Sequence, residues 1–189
     1  MGETEENKLG IIQGHLPGHL SEKGIEQAER LALRLKDEVV DCIYSSDLAR
    51  AADTAQEIAR FHRDFPLRYV EDLREKFLAD WEGKTKESLG FTATTSIAGM
   101  FPEGAETADA VFARAQKFMD AILADHADGT VLFVGHNVIN KAIIAVITGR
   151  SAEAIASIEN MHNTGVCEFT IEKEGKHTIV VFNCSKHLE

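Results

Sequence analysis

Cysteine is scarce in this chain of 189 residues, which has only Cys42, Cys167 and Cys184. They are odd in number and far apart, and two lie in apolar, strand-like stretches. A disulfide framework therefore has little support, and small buried side chains are the expectation. No CxxC, HxH or HExxH spacing links the cysteines or the 8 histidines, so no metal motif is read. Long hydrophobic runs are missing as well. None approaches the roughly 20 residues that cross a bilayer. The opening residues 1–8 are acidic and polar rather than basic and then apolar, so no secretory leader is read and a cytoplasmic location is expected.

Positive charge is also in short supply. Lys and Arg number 20 against 31 Asp and Glu, a formal net charge of −11. Nucleic acid and anionic membranes need a basic face to neutralise their phosphates, so neither is an expected partner. A small phosphorylated ligand is not excluded, because a few cations in one cleft can hold a phosphate while the surface stays acidic. Internal repeats and low-complexity segments are absent.

The chain alternates strands and helices. Ile25, Ala28, Leu31, Ala32 and Leu35 recur at helical spacing after Ser21, a candidate N-cap. Cys42, Ile43 and Tyr44 form a short apolar run, and Leu48, Ala51, Ala52, Ala55, Ile58 and Ala59 then share a helical face. Residues 67–70 read as a strand, residues 72–105 as loop and residues 107–126 as a long amphipathic helix. Residues 130–134 form a continuous apolar run, expected of a parallel strand buried on both faces. Helices are predicted over residues 138–147 and 151–158, and a hairpin from residues 166–171 and 177–182. This order implies an α/β fold with three layers, helices covering both faces of a mainly parallel sheet, in one domain.

In such sheets ligands gather outside the carboxyl ends of the strands. Two segments lie there. In the first, Tyr44-Ser-Ser-Asp-Leu-Ala-Arg50, an arginine stands in the first turn of a helix, where a guanidinium and free N–H groups suit an anion. On position alone, a solvated surface arginine explains Arg50 equally well. In the second, Phe133-Val-Gly-His136-Asn137, a histidine follows an apolar strand with Asn137 as a candidate N-cap. A satisfied core histidine is the plainer alternative there. Glu75 in its loop, Asn7 and Gln13-Gly14 are uninformative taken one at a time.

As an ordered series these pieces are specific. Gly2-Glu3-Thr4, Asn7, Gln13-Gly14 and Leu20-Ser21-Glu-Lys-Gly24-Ile-Glu-Gln27-Ala28 come first, then Tyr44 to Ala55, Leu73 to Glu75 and Trp81 to Gly83. Pro102-Glu-Gly-Ala-Glu-Thr107, the strand ending at His136, and Asn163-Thr164 follow. In this order they resemble the histidine phosphatase (phosphoglycerate-mutase-like) family over nearly the whole chain. The resemblance implies hydrolysis of small phosphomonoesters through a phosphohistidine, without metal or organic cofactor. Arg50 and His136 then line the phosphate pocket, Glu75 is the general acid/base, and Asn7, Gln13 and Gly14 bind substrate.

The family opens with an apolar strand ending in Arg-His-Gly-Glu, and Met1 occupies the histidine's slot here. A thioether is neither a phosphoryl acceptor nor a cation, so little phosphatase activity is expected of residues 1–189. The opening strand would lie between the strands before Ser45 and Gly135, so a rearranged sheet, a borrowed strand or reduced stability is expected. The short region 84–107 reads as a lid, with Phe91, Ile97, Met100 and Phe101 as its apolar side or as core contacts. It also makes a phosphoglycerate mutase the second reading, and a non-catalytic phosphate binder is a third. The sequence leaves a homo-oligomer open.

Overall fold

The computed structural model describes residues 1–92, 101–172 and 175–189. In chain order the main elements are α1 (Glu5–Lys8), α2 (Glu22–Leu35), β1 (Cys42–Ser46), α3 (Ala49–Ala59) and β2 (Leu67–Val70). After them come α4 (Ala108–Asp125), β3 (Val131–Val134), α5 (Asn137–Ile147), β4 (Val166–Ile171) and β5 (His177–Cys184). Short 3₁₀ turns fill several connections, including Ala152–Ala156, where the sequence predicts a helix.

β2, β1 and β3 make a parallel sheet in that order. Alternation along β1 sends Cys42 and Tyr44 into one core with α4 and α5, and Ile43 into the other with α2 and α3. β3 splits in the same way, with Val131 and Phe133 on the α4/α5 side and Leu132 on the other. Helices thus cover both faces, the expected three layers.

Two expectations about the sheet need correction. No place for a strand lies between the strands before Ser45 and Gly135, because β1 pairs directly with β3 through Cys42↔Val131 and on its other side with β2 through Ile43↔Leu67. β3, among the described residues, pairs only with β1 and is an edge strand. For that reason Val131, Leu132 and Phe133 are only half-buried, and Val134 alone is fully covered. The hairpin does form, with β4 and β5 antiparallel in a separate sheet and β5 running on to Cys184.

The start of the chain is ordered, where the sequence reads as acidic and flexible. Thr4 and Asn7 make a reciprocal capping box around the single turn α1, too short to show any hydrophobic period. Glu3 lies along α2, its N–H bonded to Gln27 Oε1 (2.9 Å) and its carbonyl accepting from Ser21 N–H (3.0 Å). Gly24 permits this approach, since a Cβ there would stand 1.9 Å from the Glu3 carbonyl oxygen. Alanine normally stabilises a helix over glycine by about 1 kcal/mol. At this position the sign reverses, and Gly24→Ala is expected to cost about 1–3 kcal/mol in urea melts. A raised midpoint would show that the Glu3 segment gives way freely.

Candidate active site

The parallel register brings the carboxyl ends of β1 and β3 side by side, with Ser45 opposite Val134. Just beyond β1, Arg50 sits in the first turn of α3, 1% exposed. Its guanidinium is wrapped by the loop of residues 11–18. Nη1 donates to the carbonyls of Leu16 and Pro17, and Nη2 donates to that of Gly14 (2.8 Å). Arg50 is therefore not the solvated surface arginine that position alone allows. Gly14 can turn its carbonyl inward because its φ is +49°, and a side chain there would collide with the Glu82 carboxylate. Gln13 is buried in the same loop, with Nε2 2.8 Å from Thr4 Oγ1. Its Oε1 has no partner. Turning the amide over lets the Thr4 hydroxyl donate to oxygen and frees the NH₂ group to donate elsewhere, the more economical assignment.

Beyond β3, His136 is 2% exposed and is itself the N-cap residue of α5, with Asn137 the first helical residue. Asn137 does not cap as predicted; its Oδ1 accepts instead from the N–H of Met161 (2.9 Å). The cap comes from far away in sequence. Glu75 Oε1 accepts from the N–H of Val138 (3.0 Å), so a loop carboxylate closes the α5 N-terminus. Burial raises the Glu75 pKa above the usual carboxylate range, against the opposing pull of the Lys76 N–H, Arg50 and the Val138 N–H. Burial, with the charge of Arg50 second, holds His136 well below its ordinary value. A neutral imidazole and a carboxyl tuned upward thus meet one buried guanidinium, whose field acts on both. His15 ties the loops together, with Nε2 2.7 Å from the Glu75 carbonyl; a carbonyl only accepts, so that nitrogen carries the proton.

Asn7 stands apart from this group. It is exposed, and its side-chain oxygen accepts from the Thr4 N–H (3.2 Å) in the capping box. Its link to Gln13 runs through Thr4, whose hydroxyl holds the Gln13 amide.

The sequence and the fold have counterparts among known proteins. The sequence profile of the histidine phosphatase superfamily (branch 1) matches residues 2–185. The chain belongs to that superfamily. It is 31% identical to phosphoglycerate mutase-like protein 4 of Arabidopsis thaliana, over 100% of this chain and 84% of the relative. It is 30% identical to the adenosylcobalamin/alpha-ribazole phosphatase of Salmonella typhi, over 96% and 92% of the two chains. The solved structure of Bacillus stearothermophilus YhfR superposes with a TM-score of 0.88 at 30% identity, over 100% of this chain and 96% of that one.

Several residues of this superfamily member shape the site although the sequence assigns them no role. Glu82 Oε1 accepts from the N–H groups of His15 (2.9 Å) and Leu78 (3.0 Å), pinning two loops. It lies in the Trp81-Glu-Gly83 element, where the sequence gives no role. Arg114, on α4, forks onto both oxygens of Glu106 (3.0 and 2.8 Å) and also holds the carbonyls of Asp72 and Arg74. It thereby fixes the approach to Glu75 from a helix that shows only its amphipathic period. Lys76 is buried with its Nζ unpaired. Of the apolar lid residues, Phe91 packs on Trp81 at 5.4 Å between centroids, and Phe101 lies under Lys76. Ile97 and Met100 lie outside the described residues.

Among the described residues, no helix is long and apolar enough to cross a membrane, and no three His, Cys, Asp or Glu side chains cluster to hold a metal.

Proposed function

We propose that this site binds the phosphoryl group of a small phosphomonoester, with Arg50, His136 and the Gln13 amide on its oxygens. One observation carries the reading. Among the described residues, the buried side-chain polar atoms without a hydrogen-bond partner belong to Gln13, Arg50, Lys76 and His136 only. Such atoms are costly unless a ligand completes them. Arg50 and His136 follow the adjoining ends of β1 and β3, and Gln13 belongs to the loop wrapped around Arg50; an anion there would satisfy a guanidinium N–H, an imidazole N–H and an amide together.

Glu75 then serves the leaving group. A raised pKa keeps it protonated longer, so it can give a proton to the departing ester oxygen and later take one from water. In the covalent route a histidine nitrogen attacks phosphorus as the P–O ester bond breaks; water then releases phosphate from the phosphohistidine. Met1 stands at that nucleophile's slot. Its carbonyl accepts from the Thr164 N–H (3.0 Å), and its α-amino group lies within electrostatic reach of both Arg50 and His136. With methionine there, residues 1–189 bind phosphate but turn esters over slowly.

Calorimetric titration with inorganic phosphate tests the binding. Saturable binding is expected, and His136→Ala should weaken it without a matching loss of thermal stability. A chain that takes up no phosphate overturns the proposal. The titration should also depend on pH in a defined sense. Free His136 is neutral near pH 6.5, because burial and Arg50 depress it; an adjacent phosphate dianion favours the charged form and raises it. Free phosphate near pH 6 is mostly the monoanion, so capture as the dianion releases a proton that His136 can accept. His136→Ala should therefore release more protons per phosphate bound than the unaltered chain, read as a difference in the dependence of the measured heat on buffer ionisation enthalpy.

A further inference from the structure

Both ring nitrogens of His136 are buried without a hydrogen-bond partner among the described residues. No side chain steers the imidazole, so its aim must come from the backbone that carries it. That backbone is tied on two sides. Glu75 holds the Val138 N–H at 3.0 Å, and Asn137, directly after the histidine, holds a distant segment. Asn137 Oδ1 accepts from the Met161 N–H at 2.9 Å, and its Nδ2 donates to Asn160 Oδ1 at 3.2 Å. Lys141 Nζ lies 3.4 Å from the same oxygen.

The same segment is gripped from β5. Asn183, buried there, accepts on Oδ1 from the His162 N–H (2.8 Å). Its Nδ2 donates to the Asn160 carbonyl (3.1 Å) and to Glu159 Oε1 (2.5 Å). Its φ is +45°, a left-handed conformation that asparagine tolerates better than most residues. The segment ends at Thr164, also left-handed at φ +53°, where a β-branched residue is strained. Thr164 is held there from two directions. Its N–H donates to the Met1 carbonyl (3.0 Å). Its hydroxyl donates to the Asn163 carbonyl (2.7 Å) and so accepts from His187 Nε2 (2.9 Å), whose Nδ1 accepts from Arg34 (3.1 Å). Residues 160–164 are thus bonded at one end to the neighbour of His136 and at the other to Met1.

We propose that residues 160–164 are an alignment strap, with Asn137 and Asn183 as positioning residues that fix His136 and the Met1 position relative to each other. This rests on the phosphomonoester reading and deepens it. A phosphoryl group must meet His136 and the group in the nucleophile's slot together, and small misplacements of such groups are costly. Met1 lies in no strand, so no sheet register relates it to His136 at the N-terminus of α5. The strap supplies that relation through bonds of ordinary length. The strained Thr164 fits the same role, since such a conformation persists only where its surroundings over-determine it.

Calorimetry with inorganic phosphate and NMR of the His136 ring, both on residues 1–189, test the strap. Asn137→Ala is expected to weaken phosphate binding by about 3–10-fold, and Asn183→Ala, which removes no hydrogen bond to His136, by a similar factor. The double variant should bind about as weakly as either single one, because both cut the same connection. In the free protein, each single variant should also shift the His136 ring resonances. A purely structural role predicts lower melting temperatures with phosphate affinity and ring resonances unmoved, and that result overturns the proposal. Losses that multiply in the double variant overturn it as well, by making the two residues independent. Should Asn183→Ala not fold, the exposed Asn160→Ala paired with Asn137→Ala carries the same cycle. An unaltered chain that takes up no phosphate defeats the phosphomonoester reading alone; the strap then stands or falls on the ring resonances.

Discussion

Placing an apolar strand ending in Arg-His ahead of Gly2, so that histidine replaces Met1, is expected to speed hydrolysis of p-nitrophenyl phosphate by about 10⁴–10⁶-fold. The size comes from what removing a nucleophile costs in other covalent enzymes. The added residues supply both the nucleophile and the arginine before it, and the proposed route draws its other groups from the fold. Arg50 and His136 are positioned at the ends of β1 and β3, and Glu75 is held by the N–H of Val138 at 3.0 Å. Two further readouts separate restored chemistry from restored folding. The altered chain should trap a phosphohistidine on rapid acid quench, and Glu75→Gln in that background should lower turnover by about 10²–10⁴. If residues 1–189 already match the altered chain, a nucleophile other than the Met1-slot histidine is at work and the proposed route fails.

Arg50→Ala is expected to have the largest effect on binding. Hydrogen bonds to a charged group contribute about 1.5–3 kcal/mol, so phosphate affinity should fall by roughly 10–150-fold. Stability should fall as well. The carbonyls of Gly14, Leu16 and Pro17 all lean on this one guanidinium inside the fold. Leaving them unpaired costs about 2–4 kcal/mol after allowing for relief of a buried charge. Arg50→Lys restores the charge but not the fork, and should recover part of the binding with little of the stability. The His136 titration gives an independent check. Arg50 is the second cause of its depression after burial, so in Arg50→Ala the pKa should rise without reaching the ordinary histidine value, as read by NMR. An unmoved His136 would mean that Arg50 does not act on the phosphate cleft.

Much of the fold is legible in the sequence because local periodicity carries it. On α2, Ala28, Leu31, Ala32 and Leu35 are buried as predicted whereas Ile25 is exposed, and the apolar run Cys42 to Tyr44 lies in β1, which continues to Ser46. The ordered motifs place Arg50, Glu75 and His136 in one family pattern. What they could not give is the contact that completes each. Glu75 caps α5 across 63 residues, and Arg114 reaches Glu106 and the carbonyls before Glu75. These are long-range hydrogen bonds, and no spacing encodes them. β3 reads as doubly buried from its composition alone, whereas its apolar residues are half-covered because it lies at a sheet edge.

By itself the sequence determined the alternation of strands and helices, the family, and the identity of the chemical groups available. The tertiary structure alone decided their state. Burial set the protonation leanings of Glu75, Lys76 and His136, and loop carbonyls from residues 14–17 fixed the Arg50 fork. Both follow from desolvation and from bonds between distant segments, which exist only once the chain has closed around them.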